Sequence, residues 1–239
     1  MALFVISDLH LDTLTNEKSM EVFGDKWKDY TNKIKKNWRA VVDENDTVVI
    51  PGDISWALTL ENSITDLKWI NELPGKKILM KGNHDFWWST VTKMKRFFVE
   101  NELNTFEILH NNAVEAESYI LAGSRGWFVD KAVQPQKNVV VDYDKVLNRE
   151  QIHLRMSLNE AKAIQEKNGK EILVFFHFPP IWSDFKCEEL LNVLKEYQIS
   201  RVFFGHIHGS YNHSSSFEHD GIQFKMISAD FINFIPQII

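Results

Sequence analysis

Five short apolar runs in this chain each stop at a residue able to bind a cation or move a proton, and that repetition limits the fold more than any single motif. Leu3-Phe4-Val5-Ile6 ends at Ser7-Asp8-Leu9-His10, Thr47-Val48-Val49-Ile50 at Pro51-Gly52-Asp53, and Ile78-Leu79-Met80 at Lys81-Gly82-Asn83-His84-Asp85. Residues 172–176 end at His177, and Val202-Phe203-Phe204 at Gly205-His206-Ile207-His208. Runs of this length, rich in β-branched and aromatic residues, read as buried strands. Open α/β sheets bind ligands beyond the carboxyl ends of their strands. Taken singly, each signal is bland: Asp8 reads as a cap, His177 as a satisfied core histidine, and Gly82-Asn83 as a turn. Their recurrence favours one shared site.

Helical patterns alternate with these strands. The apolar spacing predicts a helix over 20–42, another over 59–73 closed by Pro74-Gly75, and a third running to residue 101 with Ser89 as its N-cap. Residues 106–123 alternate more quickly and read as antiparallel strands, a long helix spans 143–167 before Asn168-Gly169, and a shorter one covers 188–197. Residues 217–228 read as a hairpin turning at Asp220-Gly221. No repeat or Gly/Ser linker interrupts the chain, and the candidate ligands run from Asp8 to His208. The expectation is a single domain over 1–239 with two packed sheets and helices outside.

Composition narrows the partners. A net charge of −6 over 239 residues gives no broad basic footprint for duplex nucleic acid. The lysines and the arginine at 26–39 read as a solvated helix face. One cysteine, Cys187, excludes an intramolecular disulfide and fits a reducing compartment. The opening segment has no basic region before Asp8, and no apolar stretch reaches membrane-spanning length. A cytoplasmic location without membrane contact is expected, with the oligomeric state open.

The strand-end residues together resemble the calcineurin-like metallophosphoesterase signature: Asp8-Leu9-His10, Gly52-Asp53, Gly82-Asn83-His84-Asp85, His177 and Gly205-His206-Ile207-His208, all in the family's order. The resemblance implies a four-layer αββα sandwich, with two mixed β-sheets flanked by helices, and a binuclear metal centre. By the same resemblance Asp8, His10 and His208 would hold one metal, Asn83, His177 and His206 the other, and Asp53 would bridge both. Nitrogen and oxygen donors without thiolate suit manganese, iron or zinc better than calcium. Two divalent cations outweigh the two aspartates, which favours an anionic substrate and an activated hydroxide for in-line attack at phosphorus.

The expected enzyme is therefore a metal-dependent hydrolase of phosphoesters, a phosphodiesterase in the first reading. A phosphomonoesterase acting on nucleotides or small metabolites is the alternative within enzymes, and a catalytically silent scaffold is the alternative outside them. His84 is expected to protonate the leaving oxygen, with Asp85 fixing its tautomer. Gly52-Asp53 continues as Ile54-Ser55, not as the Asp-Arg-Gly of protein Ser/Thr phosphatases, which argues against phosphoprotein substrates. Arg125, after a strand, reads either as a substrate-binding phosphate contact or as a surface ion pair. Trp56, Trp87, Trp88, Trp127 and Trp182 fall near site segments, where a nucleotide base would stack, although core packing and loop anchoring are the better account of most of them. His213 and His219 are candidates for outer partners of the centre.

Overall fold

Both faces of the central strands are apolar, so each must be covered, and the chain does this by stacking two sheets between two layers of helix. The computed structural model describes residues 1–13, 15, 17–127 and 143–239, with backbone alone for Tyr143. In chain order its elements are β1 (Leu3–Val5), α1 (Tyr30–Val41), β2 (Thr47–Pro51), α2 (Ile64–Asn71), β3 (Lys76–Met80), α3 (Val91–Glu100), β4 (Phe106–Ile108), β5 (Val114–Ala116) and β6 (Tyr119–Ser124). They continue with α4 (Tyr143–Asn168), β7 (Glu171–Phe176), β8 (Ile181–Trp182), β9 (Phe185–Lys186), α5 (Glu188–Glu196), β10 (Arg201–Phe204), β11 (Ser216–His219), β12 (Ile222–Met226) and β13 (Gln237–Ile238).

The first sheet has the order β13-β1-β2-β3-β4, parallel except for β13, and the second runs β11-β12-β10-β7-β6-β5, parallel in its four central strands. Side-chain alternation with a period of two assigns each strand to two cores. Leu3, Val5, Val49 and Ile78 meet Leu173, Phe175 and Phe203 between the sheets. Phe4, Val48 and Leu79 point the other way, onto the helices α1 to α3. On the far side Ile172, Val174 and Phe176 pack with Leu154 and Leu158 of α4 and Leu190, Leu191 and Leu194 of α5. The result is the expected four-layer αββα sandwich.

Several boundaries differ from expectation. The helix expected over 20–42 is two short 3₁₀ turns, Met20–Phe23 and Asp25–Trp27, followed by α1. Gly24 at φ +120° and Asp29 at φ +54° break the pattern, and the buried stripe Tyr30, Ile34, Trp38 starts only at α1. The second helix is confined to Ile64–Asn71. Thr90 replaces Ser89 as the cap of α3, its hydroxyl accepting from Lys93 N. The hairpin turns where expected, with Asp220 and Gly221 both at positive φ. Among the described residues no helix is long and apolar enough to cross a membrane.

The sheets meet at the carboxyl ends of their parallel strands. Asp8 N donates to Gly52 O, Ser7 N to Ile227 O, and Gly205 N to His177 O, so the loops after β1, β2, β7, β10 and β12 form one hydrogen-bonded floor.

Candidate metal centre

The floor is held in backbone conformations that side chains seldom adopt. Asp8, His10, Asp53 and His206 all have positive φ, between 46° and 70°. Such strain concentrates where the surrounding structure fixes side chains for function. Gly82 is needed for a different reason: a Cβ there would fall onto the backbone and carboxylate of Asp53. Gly205 likewise leaves the space taken by the Asp8 carboxylate.

The seven residues expected as ligands come together as two groups. Asp8, His10 and His208 present one donor atom each within 4.8 Å of one another, as do Asp53, His177 and His206. Asn83 joins the second group, with its Oδ1 2.7 Å from His177 Nε2. Asp53 Oδ2 lies between them, 3.7 Å from His10 Nε2 and 3.4 Å from His177 Nε2. The Asp8 carboxylate also accepts from His206 N, and Asp53 Oδ1 from His84 N, which fixes both carboxylates.

Hydrogen bonding on the outer ring nitrogens leaves the inner ones turned towards one another and towards Asn83. His177 Nδ1 is 3.1 Å from the Pro51 carbonyl, a group that only accepts, so the ring proton belongs there. Its Nε2 is then a lone pair facing another acceptor, Asn83 Oδ1, an arrangement that a cation would satisfy. His208 Nδ1 similarly meets Asp230 Oδ1 at 2.8 Å, which turns Nε2 towards His10, 3.2 Å away. Carboxylate and carbonyl partners of this kind orient metal-binding imidazoles.

The charges tell the same story. Burial pushes Asp8 up to about 6, against the opposing pull of His208, and burial with the nearby Asp8 and Asp85 pushes Asp53 well above the carboxylate range. Burial also holds His10 and His177 well below the usual imidazole value, so both are neutral donors. His208 differs: burial alone would lower it, but the Asp230 hydrogen bond and the Asp8 charge hold it above the usual value. The carboxylates of Asp8 and Asp53 are buried among imidazoles, and divalent ions fit this donor set.

A cavity of about 390 Å³ opens on this centre. His84, half-buried, lines it together with His10, His208 and Trp56, and its ring centroid is 4.4 Å from that of Trp56 and 5.6 Å from that of His10. Asp85, in contrast, does not serve the His84 ring. It is fully buried, with Oδ2 accepting from Asp53 N and Gly82 N, and Oδ1 from Ile54 N, Ser55 N and Trp87 Nε1. Among the described residues no hydrogen bond joins it to the His84 side chain. The turn between the two residues sends the carboxylate inward, where it ties the loop after β2 to the loop after β3.

Other expected residues disperse. Arg125 lies over the Phe178 ring and lines a separate cavity. Trp87 is buried against Asp85, Trp88 faces His110, Trp127 faces Phe178, and Trp182 packs on Phe204 and His213. His213 and His219 therefore lie outside the centre, His219 beside Asp220. Asp230 and the cavity walls Met20, Phe23, Trp27 and Tyr211 were not anticipated. Asp230 had a signal, because β12 is a further strand end and runs into Ile227-Ser228-Ala229-Asp230. Met20, Phe23 and Trp27 come from the 3₁₀ turns inside the segment expected as one helix, and Tyr211 from a loop.

A family model describing calcineurin-like phosphoesterases matches residues 1–210. The gene 66 protein of Mycobacterium phage L5 is 40% identical over 81 residues, which is 33% of this chain and 37% of that protein. Among solved structures, the protein TT1561 of Thermus thermophilus superposes with a TM-score of 0.55 at 12% identity, over 99% of this chain and 96% of the other. Phosphopantetheinyl hydrolase from Mycobacterium tuberculosis gives a TM-score of 0.49 at 14% identity, over 95% and 88% of the two chains. The Thermus structure shares the sandwich fold. Asp230 lies beyond the matched segment.

Proposed function

The chain belongs to the calcineurin-like phosphoesterase family, and on that premise we propose that it is a metal-dependent phosphoester hydrolase acting on phosphodiesters as one domain over 1–239. The observation that carries this reading is the pair of donor groups sharing Asp53, with half-buried His84 on the wall of the same cavity. Asp8, His10 and His208 would hold one divalent ion and Asn83, His177 and His206 the other, with Asp53 between them. Manganese, iron and zinc fit these donors. When bound, the two ions would supply charge neutralisation for phosphate and acidify a water.

The protein's own side chains supply the rest. Asp230 keeps the His208 proton on Nδ1 and Pro51 O keeps the His177 proton on Nδ1, so both Nε2 atoms stay available. His84 would protonate the departing alkoxide, and because burial lowers the affinity of His84 for its proton, this donor form is favoured on the acid side of neutrality. Asp85 acts through the backbone: by tying Asp53 N and Gly82 N it sets the distance between the Asp53 carboxylate and Asn83. Trp56, Phe23 and Tyr211 give the cavity aromatic walls that suit a base or another flat organic group on the ester, so a nucleotide-containing diester is the favoured substrate class. A reducing cytoplasm suits the single buried thiol.

The test is hydrolysis of bis(p-nitrophenyl) phosphate and p-nitrophenyl phosphate by manganese-loaded protein. Faster turnover of the diester, lost in Asp53→Asn and reduced by about 10² to 10⁴ in His84→Ala, is the expected result. Preference for the monoester would replace the diester reading with a phosphomonoesterase. No turnover with both ions bound would point to a scaffold.

A further inference from the structure

A second cavity, of about 300 Å³, opens beyond the ends of β3 and β6 beside the first half of α4, apart from the cavity over the metal centre. Its walls include Lys81, His110, Arg125, Arg149, Glu150 and His153. Lys81 comes from the strand end that also carries Asn83, and Arg125 follows β6 directly. Among the described residues Glu150 is the one carboxylate on these walls, set against three side chains of positive charge. The cavity is one aromatic ring from the metal centre: Arg125 lies over Phe178, 5.8 Å from its centroid, and that ring meets His206 at 4.5 Å and His177 at 5.1 Å.

Glu150 is only 2% exposed. Its Oε1 faces Arg149 Nε at 3.7 Å and His153 Nδ1 at 3.6 Å, so this carboxylate is turned to its own helix. One carboxylate thus offsets three cations, and the cavity asks for a group with negative charge.

We propose that this cavity is a second oxyanion site that takes a phosphate group. Lys81, Arg125 and Arg149 receive its charged oxygens, the arginines through paired N–H donors. The phosphate is either a terminal group of the substrate, beyond the ester being cleaved, or free phosphate. No hydrolytic step is needed for this binding.

The test is titration of the metal-loaded full chain with inorganic phosphate, followed by ³¹P NMR and calorimetry. Two phosphates per chain are expected, one at the metals and one here. Arg149→Ala, at a side chain 53% exposed and so peripheral to the core, should weaken the second at least tenfold and spare the first. Asp53→Asn should do the reverse, which keeps a failure of this site apart from a failure of the hydrolytic reading. A single phosphate in the unmodified chain, or a second one indifferent to Arg149→Ala, would overturn the proposal. The source of the group follows from KM for p-nitrophenyl thymidine 5′-phosphate with and without a 3′-phosphate. A roughly tenfold lower KM with the 3′-phosphate, lost in Arg149→Ala, assigns it to the substrate. Equal KM with the cavity phosphate still bound assigns it to free phosphate.

Discussion

The two halves of the centre each contain two histidines but are held by different means. His177 is completely buried and its outer nitrogen meets a main-chain carbonyl, so the half with Asn83 and His206 is tied to the backbone. His208 is partly open and depends on one carboxylate, Asp230, which also accepts from Gly209 N and Tyr211 OH. A half fixed by side chains can be loosened by one substitution without touching the fold. A half fixed by backbone yields only when the loops themselves move.

Asp53 serves both halves, so Asp53→Asn should have the largest effect: both ions weakened and turnover reduced by roughly 10³ or more, since several kcal/mol of charge stabilisation depends on them. Metal analysis beside kinetics checks this, and loss of turnover with two ions retained would separate Asp53 from metal binding. Asp85→Asn attacks the backbone-held half. The amide keeps one acceptor but turns its NH₂ towards backbone N–H groups, and chemical denaturation should read a loss of about 2 to 4 kcal/mol. Asp230→Asn attacks the other half and should cost about 10- to 100-fold in metal affinity or activity with little change in the denaturation midpoint of the metal-free chain. Equal stability losses in these two variants would erase the distinction between the halves. Tyr211→Phe removes one partner of Asp230 and should cost a few-fold at most.

Stability against pH sharpens the same contrast. The raised folded-state values of Asp8, to about 6, and of Asp53 mean that these two carboxyls bind more protons in the folded metal-free protein than in the unfolded chain. Their contribution is therefore full below the ordinary carboxylate value near 3.8 and is lost as pH rises through about 6. His10 and His177, held well below the usual imidazole value, act with the opposite sign, so the carboxyl effect is read as a difference between two metal-free proteins, the unmodified chain and Asp8→Asn. The melting temperature of the unmodified chain should fall relative to that of Asp8→Asn across this interval. A difference that does not change with pH would contradict the assignment of the buried charges.

These contrasts also explain what the sequence could express. Strand-end residues were legible because their signal is local: an apolar run of known length followed at once by a polar ligand type, as in Phe176-His177. The sandwich followed because its strands are apolar on both faces, as the opposite assignments of Leu3 and Phe4 illustrate. Asp230 was harder, since residues 217–228 also satisfy a hairpin pattern and that reading masked the strand end after it. Asp85 shows a different limit. Adjacency to His84 suggested a partnership, but one turn of backbone aims the two side chains in different directions, and no local pattern records that. The break at Gly24 and Asp29 was visible only as isolated residues inside a segment whose apolar spacing looked helical.

The central claim is a centre of two ions joined through Asp53, and metal content read together with manganese–manganese coupling by electron paramagnetic resonance tests it most directly. The account predicts two ions per chain with a coupled spectrum, one uncoupled ion in His208→Ala, and less than one in Asp53→Asn. A single ion in the unmodified chain, or two ions without coupling, would contradict it.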